Sequence, residues 1–442
     1  MRYQGFKHLL EYLAGTFPDQ TAFFYGEKET VPVSYRDFYR QVLVRSEELK
    51  NTGTCIGIPA VSTPECIAEI FAANLSGLQV VMLDPLLKKE ELAEASEYTE
   101  MDLLYGKPEI PLPEIKNSHA RPGNILFFTS GTTGKNKAVV LTDHSLMQSA
   151  YNGGQMLGLE KEDRMLSVLP LSHVFGFVCS LLWPMTFGVP VCLGRGMRHY
   201  GDDCAWYRPT VICAVPSLLQ FLIRHDCLNE EMRLILVGAG DCPDELMEEV
   251  KKRGIQLSFG YGLTETSSGV AISTGADPRS MSICPDDTVT IAEDGEILAA
   301  SETCMMQGYY RYPEDTAAVL KNGVLSTGDL GYLDENGKLH LAGRKKDILV
   351  MSDGTKIFLP EYEGALSRIA GTDQLAVILK NGKPFLILET CSDMDALRKS
   401  IDEFNRDQPF GRKLSGAAAV NHPLPRSASG KIQRWKLEKE MG

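Results

Sequence analysis

Apolar and polar positions alternate along this chain in two rhythms. Phe6, Leu9, Leu10 and Leu13 recur at the three- and four-residue spacing of one helix face. The same spacing predicts helices over Asp37–Leu49, Pro64–Leu75, Pro216–Arg224 and Pro243–Lys252. Between them lie short β-branched runs too brief for helices. These predict strands over Cys55–Val61, Gln79–Leu83, Leu166–Leu169, Val211–Ala214, Leu234–Val237 and Gln256–Phe259. Strands that alternate with helices imply an α/β layout with mostly parallel pairing.

After about Gly269 the texture changes. Val289–Leu298 reads as a hairpin turning at Asp294-Gly295, and Lys338–Ala342 follows Asn336-Gly337 as a strand. A β-rich region therefore closes the large part of the chain. Beyond Gly343 come Arg344-Lys345-Lys346 and then a smaller α+β segment.

Gly176–Leu193 is uncharged and approaches the length of a membrane span. Pro184, Gly188 and Pro190 interrupt it, which predicts a buried helix followed by a strand and no transmembrane segment. The N-terminus lacks a secretory pattern. The eleven cysteines stand singly, with no zinc spacing, as expected of reduced thiols in a cytoplasmic protein. With 442 residues, two or three domains are expected. A net charge of -13 disfavours nucleic acid as a partner.

The candidate chemistry begins at Thr129-Ser130-Gly131-Thr132-Thr133-Gly134-Lys135-Asn136-Lys137, between predicted strands Asn124–Phe128 and Ala138–Thr142. Two glycines let backbone N–H groups approach an anion, and hydroxyls and lysines add donors and charge. From these residues alone an ordinary polar hairpin competes with a phosphate loop. The pattern is not a Walker A loop, because Thr129 and Asn136 break it and no helix follows directly.

Further motifs follow in order. They are Leu169-Pro170-Leu171-Ser172-His173-Val174-Phe175-Gly176, Tyr261-Gly262-Leu263-Thr264-Glu265-Thr266, Ser326-Thr327-Gly328-Asp329-Leu330-Gly331, Gly343-Arg344-Lys345-Lys346-Asp347 and Pro425-Arg426-Ser427-Ala428-Ser429-Gly430-Lys431-Ile432. With the loop, this series resembles the signature set of the adenylate-forming (AMP-binding) superfamily, over essentially the whole chain. Gln307–Thr316 and the stretch from Gly343 to Glu363 look most like bacterial fatty acid–CoA ligases. Asn136, Ala138, Ser172 and Leu359 depart from the usual residues, and connections around Asp277–Asp287 and in the C-terminal region are shortened.

The resemblance implies a large N-terminal adenylation domain, residues 1–343, of stacked α/β subdomains plus a β-rich subdomain. A small mobile α+β C-terminal domain, residues 344–442, would carry the catalytic lysine. It implies ATP, Mg2+ and CoA, or the phosphopantetheine of a carrier protein. Thr129, Ser130, Gly131, Thr132, Thr133, Gly134 and Lys137 would hold the β- and γ-phosphates, and Thr264 the α-phosphate. Glu265 would hold magnesium. Tyr261 and Gly262, with Gly238, Ala239 and Gly240, would bracket adenine, and Asp329 and Arg344 would take the ribose. Lys431 would act in adenylation; Lys346 at the hinge and Gly354 at the pantetheine entrance would act in thioester formation. His173 would orient the carboxylate or gate the acid's entrance. Each also has a plainer reading: core for Tyr261 and His173, a cap for Glu265, a turn for Asp329, a solvated surface for Lys346 and Lys431.

No acid stands in Leu171–Phe175 to meet a substrate ammonium, which favours an uncharged acyl tail, fatty or aryl, over an amino acid. Fatty acid metabolism is the expected setting. The implied function is conversion of a carboxylic acid to an acyl-adenylate and then to a CoA thioester. An acyl- or aryl-acid ligase loading an acyl carrier protein is the alternative. A degenerate nucleotide-binding module is a third reading, opposed by intact Lys137, Glu265, Asp329 and Lys431. Monomer and homodimer both remain open.

Overall fold

The computed structural model describes the chain apart from residue 1 and residues 27–28, 108–111, 113–114, 116–117, 130–136, 352–354, 427–431 and 442. Two α/β sheets stack in the large part. One has six strands in the order Gly308–Tyr309, Lys137–Thr142, Asn124–Thr129, Gln79–Leu83, Cys55–Pro59 and Leu103–Leu104. The other has nine. At its centre Val191–Leu193, Met165–Ser167, Val211–Ala214, Leu234–Val237 and Gln256–Tyr261 run parallel.

The unit Cys55–Pro59, Pro64–Leu75, Gln79–Leu83 shows why the sequence folds this way. Both strands are wholly buried and pair in parallel, so the chain must cross over between them. The crossover helix starts where Thr63 accepts the Cys66 N–H and Pro64 fills the first turn. It ends at Ser76-Gly77, where Gly77 takes φ 89°. Helix Phe6–Thr16 covers the core with Phe6, Leu9, Leu10 and Leu13, each at most 1% exposed. Truncating Phe6 to Ala would cost about 3–5 kcal/mol.

Val324–Leu333 organises the β-rich part, pairing antiparallel with Glu296–Ser301, Leu320–Lys321 and Leu339–Arg344. The predicted hairpin is present as Asp287–Ile291 and Glu296–Ser301 around Gly295 at φ 87°. The segment after His173 is the expected buried helix followed by a strand, Val191–Leu193, but the helix is of an unexpected type: Gly176–Leu182 is a π-helix, continued by the α-turn Trp183–Thr186. Its last turn is closed by Trp183 N–H donating to Val178 C=O. Gly176 permits the close packing, since a Cβ there would lie 2.4 Å from the Pro170 carbonyl oxygen.

The large hydrophobic cluster, with its satellite, runs from Tyr3 to Leu339. Separate small clusters run from Met351 to Leu414 and from Ala376 to Leu437, around the sheet Leu375–Lys380, Lys383–Leu388, Ala417–Ala419. A large N-terminal domain and a small C-terminal one thus each have their own core. At the joint the Phe358 ring lies on Gly343, where a Cβ would meet it at 2.2 Å. The eleven cysteines are free thiols, eight of them buried. Among the described residues no helix is long and apolar enough to cross a membrane.

Candidate active site

Parallel strands bring their carboxyl ends to one edge of the nine-stranded sheet, the place where such sheets bind ligands. Gly238-Ala239-Gly240 follows Leu234–Val237, and Gly262-Leu263-Thr264-Glu265 follows the neighbouring Gln256–Tyr261. His173 lies beyond Met165–Ser167, with its side chain exposed. Its backbone is fixed: its N–H donates to Pro170 C=O and its C=O accepts from Phe177 N–H. The space that Gly238 leaves is taken by Phe175, whose ring would lie 2.9 Å from a Cβ there. Glycine at 238 therefore makes room for a neighbouring ring rather than for a free wall.

The turn carrying Thr264 and Glu265 is sharply constrained. Val270 N–H donates to Tyr261 C=O at 2.7 Å, and Ser268 N–H donates to Leu263 C=O at 3.1 Å. Ser267 and Ser268 hold φ of 53° and 110°, unfavourable for side-chain-bearing residues. A Cβ on Gly262 would fall 1.4 Å from the Ser268 carbonyl oxygen, so no other residue fits.

Two clusters form beside this turn. In the first, Lys137 Nζ lies 2.8 Å from Asp315 Oδ2 and 4.8 Å from the Tyr309 ring centre. The Tyr309 hydroxyl donates to Glu265 Oε1 at 2.7 Å. Burial, then the Glu265 charge, push the Tyr309 phenol well above its ordinary value, so it stays a donor. Thr129 pairs with Lys137 across the strand ends. The motif reading named neither Tyr309 nor Asp315 as a site residue. Their signal was Gly308-Tyr309 followed by Glu314-Asp315, which pattern alone does not aim at Lys137.

In the second cluster Asp329, 5% exposed, accepts from the Tyr261 hydroxyl at 3.0 Å and lies 2.9 Å from Arg344 Nε. Strand pairing sets Asp329 opposite Arg344, so the ion pair follows from register. Gly328, at φ 72°, turns the strand, and Asp329 N–H donates to Thr327 Oγ1. Tyr261 is itself 6% exposed, and burial, then Asp329, raise its phenol pKa. Lys346 stands exposed on the turn Lys345–Asp347. Ser130, Gly131, Thr132, Thr133, Gly134, Gly354 and Lys431 lie outside the described residues.

The donor set suits a nucleotide with magnesium. Among the described residues no three or more His, Cys, Asp or Glu side chains cluster as a metal cage. One carboxylate at Glu265, with Lys137 on the ring of the tyrosine that binds it, would suit a hard cation that keeps water and takes most of its ligands from phosphates.

Residues 114–310 match the family model described as AMP-binding enzyme. A 2-succinylbenzoate–CoA ligase of Listeria monocytogenes is 32% identical over 336 residues, spanning 71% of this chain and 69% of the relative. The chain belongs to the AMP-binding enzymes. A long-chain-fatty-acid–CoA ligase of Bacillus subtilis is 25% identical, over 97% of this chain and 93% of that relative. The O-succinylbenzoate coenzyme A synthetase of Bacillus subtilis, solved with ATP and magnesium ion, superposes with a TM-score of 0.80 at 25% identity, covering 97% of this chain and 98% of that one. This AMP-binding enzyme is therefore an adenylate-forming, AMP-forming CoA ligase, which makes a carbon–sulfur bond and uses ATP, Mg2+ and CoA. Its fold is that of the adenylate-forming enzymes.

Proposed function

We propose that this enzyme activates an aryl-bearing carboxylic acid of the succinylbenzoate kind, whose ring carries a second carboxylate in place of the expected uncharged tail, and not a long fatty chain, and passes it to CoA. The observation that carries the choice is Phe175 seated on Gly238 at the strand ends beside Thr264–Glu265. A ring there narrows the wall available to a long flexible tail and offers a flat face to an aromatic acid. The 2-succinylbenzoate–CoA ligase among its relatives supports the same reading.

In the first step a substrate carboxylate oxygen attacks the α-phosphorus of ATP. The bond to the bridging oxygen breaks, and pyrophosphate leaves. Lys137, with Thr129 and the loop from Ser130 to Gly134, would bind the departing phosphates, and Thr264 the α-phosphate. Glu265, oriented by the Tyr309 hydroxyl, would hold magnesium, which supplies positive charge against the phosphates. Asp329 and Arg344 would hold the ribose, and Tyr261 with Ala239 and Gly240 the adenine. His173 would face the acid's carboxylate, and Lys431 would bring a cation to the reacting oxygens.

In the second step the CoA sulfur attacks the acyl carbon, AMP leaves and the thiol proton goes to solvent. We assign residues 1–343 to acid and nucleotide binding. Residues 344–442 would be a unit that turns between the steps, with Lys346 and Gly354 serving the second. Acid-dependent exchange of labelled pyrophosphate into ATP tests the reading. Succinylbenzoate and simple aryl acids should support exchange at least tenfold above fatty acids of long chain, on the order of one lost pocket contact. Exchange with fatty acids alone would overturn the choice of acid, and exchange with no acid would overturn the function.

A further inference from the structure

The phosphate loop leaves the six-stranded sheet at Thr129 and rejoins it at Lys137. On its other edge, Lys137–Thr142 carries Gly308–Tyr309 antiparallel, with Gly308 opposite Val140 and Tyr309 opposite Val139. One step on, Tyr310 faces Ala138, and Tyr310 N–H donates to Ala138 C=O at 2.8 Å. A regular ladder would return a bond from Ala138 N–H to Tyr310 C=O. A hydroxyl from a distant helix occupies that position instead. Tyr98 Oη donates to Tyr310 C=O at 2.8 Å and accepts from Ala138 N–H at 3.2 Å. The two strands are thus wedged apart at the residue adjoining Lys137.

The wedge is held from behind. Two residues after Tyr98, Glu100 takes φ 57° and is 7% exposed. Its carboxylate accepts from the Tyr310 hydroxyl at 2.8 Å, from His119 N–H at 2.8 Å, and faces His119 Nδ1 at 2.9 Å. Arg311, at φ 59°, donates to Tyr98 C=O at 3.3 Å. Tyr310 is therefore tied at both ends, its hydroxyl to Glu100 and its carbonyl to Tyr98. Burial raises the Tyr98 phenol to about 12, so it keeps the proton it donates.

We propose that Tyr98 is a positioning residue for the ATP phosphates: by wedging the Ala138–Tyr310 pair open, it fixes where Lys137 leaves the sheet and where its ammonium lies between Tyr309 and Asp315. The inference rests on the reading that Lys137 binds the β- and γ-phosphates. Without the hydroxyl, Ala138 and Tyr310 close directly or lose a bond, and the strand end shifts. A charge aimed at phosphates is sensitive to such a shift.

The test is calorimetric binding of ATP and of AMP to the full-length enzyme, with acid KM measured alongside. Tyr98→Phe should weaken ATP about tenfold, the scale of one lost hydrogen bond. AMP lacks the distal phosphates, so its affinity and the acid KM should stay within about twofold. Tyr310→Phe keeps the wedge but cuts its tie to Glu100, and should weaken ATP about threefold with the same selectivity. A folded Tyr98→Phe enzyme that binds ATP as wild type does, or that loses ATP and AMP alike, overturns the proposal. If Tyr98→Phe does not fold, Tyr310→Phe decides by the same criterion. Lys137→Ala separates the two readings. Unchanged ATP binding in that variant sinks the phosphate assignment itself; weakened binding there beside normal binding in Tyr98→Phe sinks only the wedge.

Discussion

Tyr309 is the residue that joins the lysine and the carboxylate we assign to the phosphates and magnesium. It presents its ring to Lys137 and its hydroxyl to Glu265, so one side chain sets both a cation and a carboxylate. Tyr309→Phe keeps the ring and removes the hydroxyl. Adenylation kcat/KM should fall about tenfold while the thioester step, started from preformed acyl-adenylate, stays within about twofold. Asp287 bears on stability instead. Both its carboxylate oxygens are buried opposite Ser301 on the paired strand, and burial, only partly offset by the Ser301 hydroxyl, lifts its pKa to about 7. Below the ordinary carboxylate range folded and unfolded chains both hold this proton. Between about pH 4 and about pH 7 only the folded chain does, so stability falls as pH rises through that window. Asp287→Asn should remove this slope and stabilise the protein at pH 8 by about 1–3 kcal/mol in urea unfolding. An unchanged slope would show that Asp287 ionises normally.

At the level of elements, the turn after Gln256–Tyr261 allows least change. Gly262→Ala drives a methyl into the Ser268 carbonyl, so Thr264 and Glu265 must move. Exchange activity should drop at least about a hundredfold while the melting temperature changes by only a few degrees. Retained activity would mean that the turn relaxes without displacing Glu265. The periodic elements were the legible ones. Pro64–Leu75, Gln79–Leu83, Val211–Ala214, Pro216–Arg224 and Leu234–Val237 fold over the residues their patterns mark: Pro216–Arg224 buries one face and so writes a period into the sequence, and the strands, buried throughout, show as short apolar runs too brief for helices. The π-helix Gly176–Leu182 was read only as a buried helix. An all-apolar run packs on every side and carries no period to tell one helix type from another. In the same way Tyr261, Glu265, Asp329 and Lys137 stand in recognisable motifs. Their connectors Tyr309 and Tyr98 do not, since contacts across forty or more residues of chain depend on strand register.

For the whole molecule, the larger and smaller parts have separate cores and Phe358 lies on Gly343 at their joint; our proposal is that this division separates the two half-reactions. If the smaller domain turns between steps, Lys346→Ala should slow thioester formation about tenfold or more and leave pyrophosphate exchange within about twofold. Equal loss of both would place Lys346 outside the division. The most direct measurement concerns the chemistry itself: incubating the enzyme with ATP, Mg2+, CoA and succinylbenzoate, and following nucleotides and thioester by chromatography. The account predicts aryl–CoA accumulating in step with AMP and pyrophosphate, and none of the three without the acid. Thioester formed with ADP and phosphate in place of AMP, or ATP consumed with no thioester, would contradict it.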